Sequence, residues 1–139
     1  DVPRPTGLFA PFMVAGDLAF LAGQTCEWNG RMLYAGKVGL DQDVEAGHAA
    51  ARICGLNLVA ALRLACRGDL DRVAACVRLG GFVNCAADFP DPPKVVNGAS
   101  ELMLELFGDA GRHCRTAVGV AALPGRALVE VDAVFRLRR

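Results

Sequence analysis

Apolar and polar positions recur along this chain with two different periods, and the places where the period changes mark its elements. Phe12-Met13-Val14 and Leu18-Ala19-Phe20-Leu21-Ala22 flank Ala15-Gly16-Asp17, the pattern of a β-hairpin closed by a tight turn at Gly16. The second run is apolar throughout, which predicts a strand covered on both faces, and Gly23-Gln24-Thr25 then places a glycine and two polar side chains at its end. Glu27 to Gly36 reads as a loop with a turn at Asn29-Gly30, and Lys37-Val38-Gly39 as a short strand. From Val44 the period becomes helical and holds to about Arg67, with Asp43 as N-cap and Gly68 as stop. Ala50, Ile53, Leu58, Ala61, Leu62 and Ala65 fill one face of that helix; Glu45, His48, Arg52 and Arg63 lie near the other, where His48 reads as a solvated residue. A strand follows near Ala74 to Val83. Pro90, Pro92 and Pro93 argue against helix from Cys85 to Lys94, so the second helix is expected over Val95 to Phe107, with Glu101 and Glu105 outward.

The last third sets charges into a small-residue frame. Arg115 opens Thr116-Ala117-Val118-Gly119-Val120-Ala121-Ala122, Leu123-Pro124-Gly125-Arg126 reads as a turn, and Leu128 to Phe135 returns. If the two runs pair as a hairpin with Ala122 facing Ala127, Val118, Val120, Val129, Val131 and Ala133 share the core face. The other face carries Arg115, Ala117, Gly119, Glu130 and Asp132, a shallow pocket floor. On that pairing Glu130 stands opposite Gly119 and roughly 13 Å from Arg115, at ~3.3 Å per strand residue. A small ligand would fit between, its anionic end on Arg115. The competing reading makes Glu130 and Asp132 the solvated side of an edge strand.

Residues 1–139 are expected to form a single domain, led by a Pro-rich extended arm over residues 1–11. The element order suggests two β-α-β halves making a mixed sheet with two helices on one side, an α+β design. Both sheet faces carry apolar residues, and a small domain with that much uncovered sheet tends to oligomerise. Hydrophobic residues at 53% and charged residues at 22% exclude a disordered chain. Fifteen basic residues balance fifteen acidic ones, so no global field exists to attract nucleic acid, and the basic tip of Arg136, Arg138 and Arg139 is read as solvated. There is no secretory leader pattern and no long apolar run, so a cytoplasmic protein with no membrane partner is expected. None of the six cysteines lies in a Cys-x-x-Cys pair, which favours reduced, packed thiols over disulfides or a metal. His113-Cys114 beside Arg115 could form a reactive corner but lacks spaced ligand partners; no metal is expected.

Several stretches together resemble the RidA/YjgF family, also called the endoribonuclease L-PSP family. They are Gly16-Asp17 with Gly23-Gln24, Gly36-Lys37-Val38-Gly39, Gly55-Leu56-Asn57-Leu58, Gly68-Asp69-Leu70-Asp71-Arg72-Val73, Gly81-Phe82-Val83-Asn84, Pro93-Lys94-Val95-Val96-Asn97-Gly98-Ala99-Ser100, Arg115-Thr116-Ala117-Val118-Gly119-Val120, Leu123-Pro124 and Val129-Glu130-Val131. The resemblance covers nearly the whole chain. It implies a chorismate-mutase-like β-β-α-β-α-β-β subunit, a homotrimer with pockets at its subunit boundaries, and, for the best-known branch, hydrolysis of 2-imino or enamine acids to 2-keto acids without metal or organic cofactor.

In that chemistry Arg115 matches the arginine that holds the substrate carboxylate and Glu130 the glutamate that positions or deprotonates water. Gly23, Phe9, Asn97 and Ala117 match pocket-lining positions. Phe9, Ala22 and Ala117 stand where the deaminating branch has tyrosine, serine and cysteine, so the chain is more similar to a sister subgroup marked by its Pro-Lys-Val-x-Asn-Gly-Ala-Ser stretch. Two functions follow: a hydrolase of small 2-imino or 2-keto acid-like carboxylates, or a trimer that binds such a carboxylate without turnover. Ribonuclease action follows from the family's other name only, and neutral charge argues against it.

Overall fold

In a computed structural model, residues 7–139 are described; the start of the arm expected over 1–11 lies outside them. The chain forms β1 (Phe12–Ala15), β2 (Leu18–Thr25), a small hairpin of β3 (Glu27–Trp28) and β4 (Arg31–Met32), α1 (Val44–Ala65), β5 (Val73–Asn84), α2 (Pro92–Phe107), β6 (Cys114–Val120) and β7 (Val129–Leu137). Five strands make one mixed sheet in the order β1-β2-β7-β5-β6, with β5 and β6 parallel and every other pair of neighbours antiparallel. Both helices pack on one face of it and on each other, which is the α+β arrangement expected. We refer below to the helix face and the open face.

Local chemistry accounts for the elements. Asp43 Oδ1 accepts from the Ala46 N–H at 2.8 Å and starts α1. Its buried face includes Ala50, Ala51, Leu58, Ala61 and Leu62. The polar face is tied rather than solvated: His48 Nε2 lies 2.8 Å from Glu101 and Arg52 bonds Glu105 at 2.9 Å, so the glutamates expected to point outward link α2 to α1. The helices touch with almost nothing between them, since a Cβ on Gly98 would collide with the carbonyl oxygen of His48. α2 begins at Pro92, earlier than expected, because the first helical positions need no donated N–H and suit Pro92-Pro93. Leu18 to Ala22 is covered on one face only: Ala19 and Leu21 are buried on the helix face while Phe20 stands exposed on the other.

The largest departure concerns β6 and β7, which do not pair. β5 lies between them. Leu79 neighbours both Arg115 and Ala133, and Val83 both Gly119 and Val129. The intervening Ala121–Leu128 is not a turn closing on itself, because other segments claim its backbone: Leu128 N–H donates to Tyr34, Gly36 N–H to the Arg126 carbonyl, and Asn84 N–H to the Leu128 carbonyl. A helical crossover through α2 delivers β6 parallel to β5, as parallel pairing requires. β7 buries Val129, Val131, Ala133, Phe135 and Leu137 in strict alternation and takes the central place. β6, short and rich in small residues, takes the edge.

Candidate functional site

With β5 interposed, the expected pocket floor divides. Arg115, Ala117 and Gly119 face the helices: the Arg115 guanidinium meets α2, and a Cβ on Gly119 would strike Cys85 Sγ. Glu130 and Asp132 point to the open face, opposite the buried Val129, Val131 and Ala133. Val118, expected in the core with Val120, is 41% exposed there as well. Within one chain the arginine and the glutamate therefore stand on opposite faces of the sheet, and the Glu130–Gly119 apposition expected from a hairpin does not exist. Period-2 alternation sorts residues within a strand; the wrong neighbour inverted the relation between the two strands.

The arginine end is built from α2 and β6. Asn97 and Ser100, three apart on α2, present their oxygens together. Arg115 Nη1 donates to Asn97 Oδ1 at 2.7 Å and to Ser100 Oγ at 3.1 Å, which uses both of its hydrogens. His113 joins from the segment before β6, with Nε2 at 2.8 Å from Ser100 Oγ and Nδ1 at 2.7 Å from the Gly111 carbonyl. Asn97 was legible from the sequence. Ser100 and His113 as its companions were not, although the i, i+3 spacing of Asn97 and Ser100 was a signal that could have found the first. His113, weighed as part of a reactive corner, is tied to a backbone carbonyl and a serine.

The glutamate end is built from β2, β5 and β7. Between Leu21 and Gln24 β2 carries one residue more than β7 opposite it, a bulge that places Gly23 against Glu130. A Cβ on Gly23 would collide with Glu130 Oε2, so only glycine leaves that carboxylate its place. Burial, with the like charge of Asp132 second, pushes the Glu130 carboxyl above its ordinary value. Asp132 is also raised by burial, against the opposing pull of Arg78, 3.7 Å away, and of the Gly80 N–H. Phe9 precedes β1 on this side of the molecule and is 54% exposed; its loop is held by the Ala22 N–H donating to Pro11. Phe9, Gly23 and Glu130 thus belong to the β1-β2-β7 side, and Asn97, Arg115 and Ala117 to the β6 edge.

Two hollows, of about 570 and 370 Å³, lie near the ends of β5 and β6 and share Lys37, whose Nζ is held by Asn84 Oδ1 and the Ala121 carbonyl. Neither is lined by Arg115 or Glu130. Size alone favours these hollows. The paired donors and the perturbed carboxyl favour the two ends just described, and we place the candidate site there. Among the described residues no three His, Cys, Asp or Glu side chains group as metal ligands, and no helix is long and apolar enough to cross a membrane. All six cysteines are free thiols; burial raises Cys76 to about 12 and Cys54 well above its ordinary value.

The family model described as "YjgF/chorismate_mutase-like, putative endoribonuclease" matches residues 1–136. The chain belongs to this family. Among YjgF-like relatives, Protein TCP17 of Trypanosoma cruzi is 41% identical over 134 residues, spanning 96% of this chain and 83% of that protein. Two solved structures share the YjgF-like fold closely. Atu1372 of Agrobacterium tumefaciens superposes with a TM-score of 0.92 at 38% identity, over 94% of this chain and 82% of that one. A Shewanella oneidensis protein described as a "putative endoribonuclease" gives 0.95 at 36%, over 99% and 90%. Escherichia coli TdcF, solved with bound serine, matches at 0.66 and 21% identity over 99% of this chain and 94% of that one, and so speaks for the fold alone.

Proposed function

We propose that the protein is a homotrimeric, metal-independent hydrolase of small 2-imino acids, with each pocket assembled from the arginine end of one copy and the glutamate end of a neighbour. The observation that carries this reading is the division of the two ends between opposite sheet faces: neither end forms a site alone, yet each has what the other lacks. Both hydrogens of Arg115 Nη1 are used by Asn97 and Ser100, and no bond from Nε or Nη2 is formed among the described residues. That edge of the guanidinium has the spacing for a carboxylate in two parallel hydrogen bonds. Glu130, partly desolvated and beside Asp132, holds a proton more tightly than an ordinary carboxylate, the direction that favours a general-base role.

In the reaction, water adds to the protonated C=N carbon of the bound imino acid while Glu130 takes its proton. The same proton passes to the nitrogen; Glu130 then takes the proton of the new hydroxyl as the C=O forms and the C–N bond breaks, and that proton leaves with the ammonia as ammonium, leaving a 2-keto acid and an ionised Glu130. Phe20, Val77 and Val118, each more than a third exposed on or beside the open sheet face, suit burial against a second copy. The protein would act in the cytoplasm.

Co-assembly tests this directly. Arg115→Ala and Glu130→Gln proteins, each inactive on 2-iminobutanoate generated in situ, should regain activity when unfolded together and refolded as mixed trimers, since some pockets then carry both native residues. Mixed trimers no faster than either parent would remove the inter-subunit pocket.

A second reading is favoured by Phe9, Ala22 and Ala117, which lack the polar groups of the deaminating branch: a trimer that binds a small carboxylate without turnover. Calorimetry with 2-ketobutyrate, pyruvate and benzoate that gave heat, in a protein that left 2-iminobutanoate decay unchanged, would support it.

A further inference from the structure

We infer that His113 is a positioning residue for Arg115, acting through the Ser100 hydroxyl; this rests on the reading above that Arg115 binds a carboxylate. The direction of each hydrogen bond follows from what its atoms can do. The Gly111 carbonyl only accepts, so His113 Nδ1, 2.7 Å away, carries the ring proton. In the neutral ring Nε2 is then an acceptor, and Ser100, 2.8 Å from it, donates its single hydroxyl hydrogen there. That leaves the Ser100 lone pairs to its other hydrogen-bond partner among the described residues, Arg115 Nη1 at 3.1 Å.

A serine hydroxyl free to rotate could offer its hydrogen toward the guanidinium, which has no acceptor. His113 removes that choice. Asn97 Oδ1 fixes the other hydrogen of Nη1 at 2.7 Å, so the plane of the guanidinium is set from two sides and its Nε–Nη2 edge, unbonded among the described residues, is held in place before any ligand arrives. Pre-orientation of this kind lowers the ordering cost of a bidentate bond.

The test is calorimetry of benzoate and 2-ketobutyrate on the assembled protein, with nitrogen NMR of the His113 and Arg115 side chains. Ser100→Ala and His113→Ala should each weaken carboxylate binding by about three- to tenfold, the range for one lost hydrogen bond. Ser100→Thr, which keeps the hydroxyl, should restore it. In the parent, His113 should show a protonated Nδ1 and a bare Nε2. The Arg115 Nη resonances, resolved in the cold, should broaden in Ser100→Ala.

Unchanged binding and unchanged Arg115 resonances in Ser100→Ala would overturn the inference, as would a parent His113 protonated on Nε2 alone. Those spectra need no ligand. Silence in the parent calorimetry would therefore count against the carboxylate reading, while the relay would stand or fall on the resonances. Should a variant not fold, the tautomer of the parent still decides.

Discussion

The two ends of the candidate site solve opposite problems. At the β6 edge a permanent cation is surrounded by neutral oxygens that use two of its five hydrogens and fix its plane. On the open face two carboxylates, Glu130 and Asp132, sit on the same side of β7 about 7 Å apart along the strand at ~3.3 Å per residue. Both are partly desolvated, and both hold their protons more tightly than usual. The first end holds its cation in place through neutral partners. The second is left unsatisfied and titrates. A site made from such halves separates holding from proton transfer, so the halves should fail in different ways.

The largest effect expected is that separation itself. Arg115→Ala should weaken 2-ketobutyrate binding by about 100-fold or more, the equivalent of losing a charge-assisted bidentate pair. Glu130→Gln should leave binding within about threefold and lower turnover of 2-iminobutanoate by roughly 10²–10⁴, as loss of a general base does. Calorimetry and imine decay on both proteins would break the contrast if either substitution damaged both functions equally.

A smaller shift is expected in pH dependence. Glu130 acts as a base only when ionised, so kcat/KM should fall with decreasing pH through a value above the ordinary carboxylate range. Asp132→Asn removes the like charge that helps raise it, so the acid limb should move to lower pH. A limb that stayed in place would mean burial alone sets the proton affinity of Glu130.

The smallest effect is on stability. A carboxyl whose affinity for protons rises on folding costs stability where it is ionised, and the cost disappears once pH falls below its unfolded value. Glu130→Gln should accordingly raise Tm by roughly 1–3 °C at pH 7, little because the group is only half-buried, and by less at pH 4. Scanning calorimetry at matched protein concentration measures both.

Much of this architecture was legible along the chain. Asp43 and the alanine-rich stripe announced α1, Gly16 announced the first hairpin, and the order of elements carried the α+β class. Arg115, Glu130, Gly23 and Asn97 stood out through the family resemblance. Strand order was not legible, because period-2 alternation fixes which residues share a side and says nothing about which strand lies next door. Placing β7 beside β6 seemed natural with Pro124-Gly125 between them; the backbone of that stretch is instead consumed by residues 34–36 and Asn84. The prolines before α2 were likewise read as breakers, when at its first positions they serve as starters. Ser100 could have been found from its i, i+3 spacing with Asn97, whereas the role of His113 depends on the Gly111 carbonyl, which no side-chain pattern displays.

The extra residue in β2 works as a phase shift. Up to Leu21 the odd-numbered positions look inward; after it the even-numbered Gln24 does, at 6% exposure. Remove one residue there and the ladder would run regular, with Leu21 and Gln24 two apart and both inward; keep the residue but straighten the bulge, and every position toward the N-terminus would invert, sending Phe20 inward and Ala19 and Leu21 out to water. The irregularity beside Glu130 is thus also what keeps the first hairpin right side up. A single deletion there would leave the sheet margin in phase and remove only the kink that sets Gly23 beside Glu130.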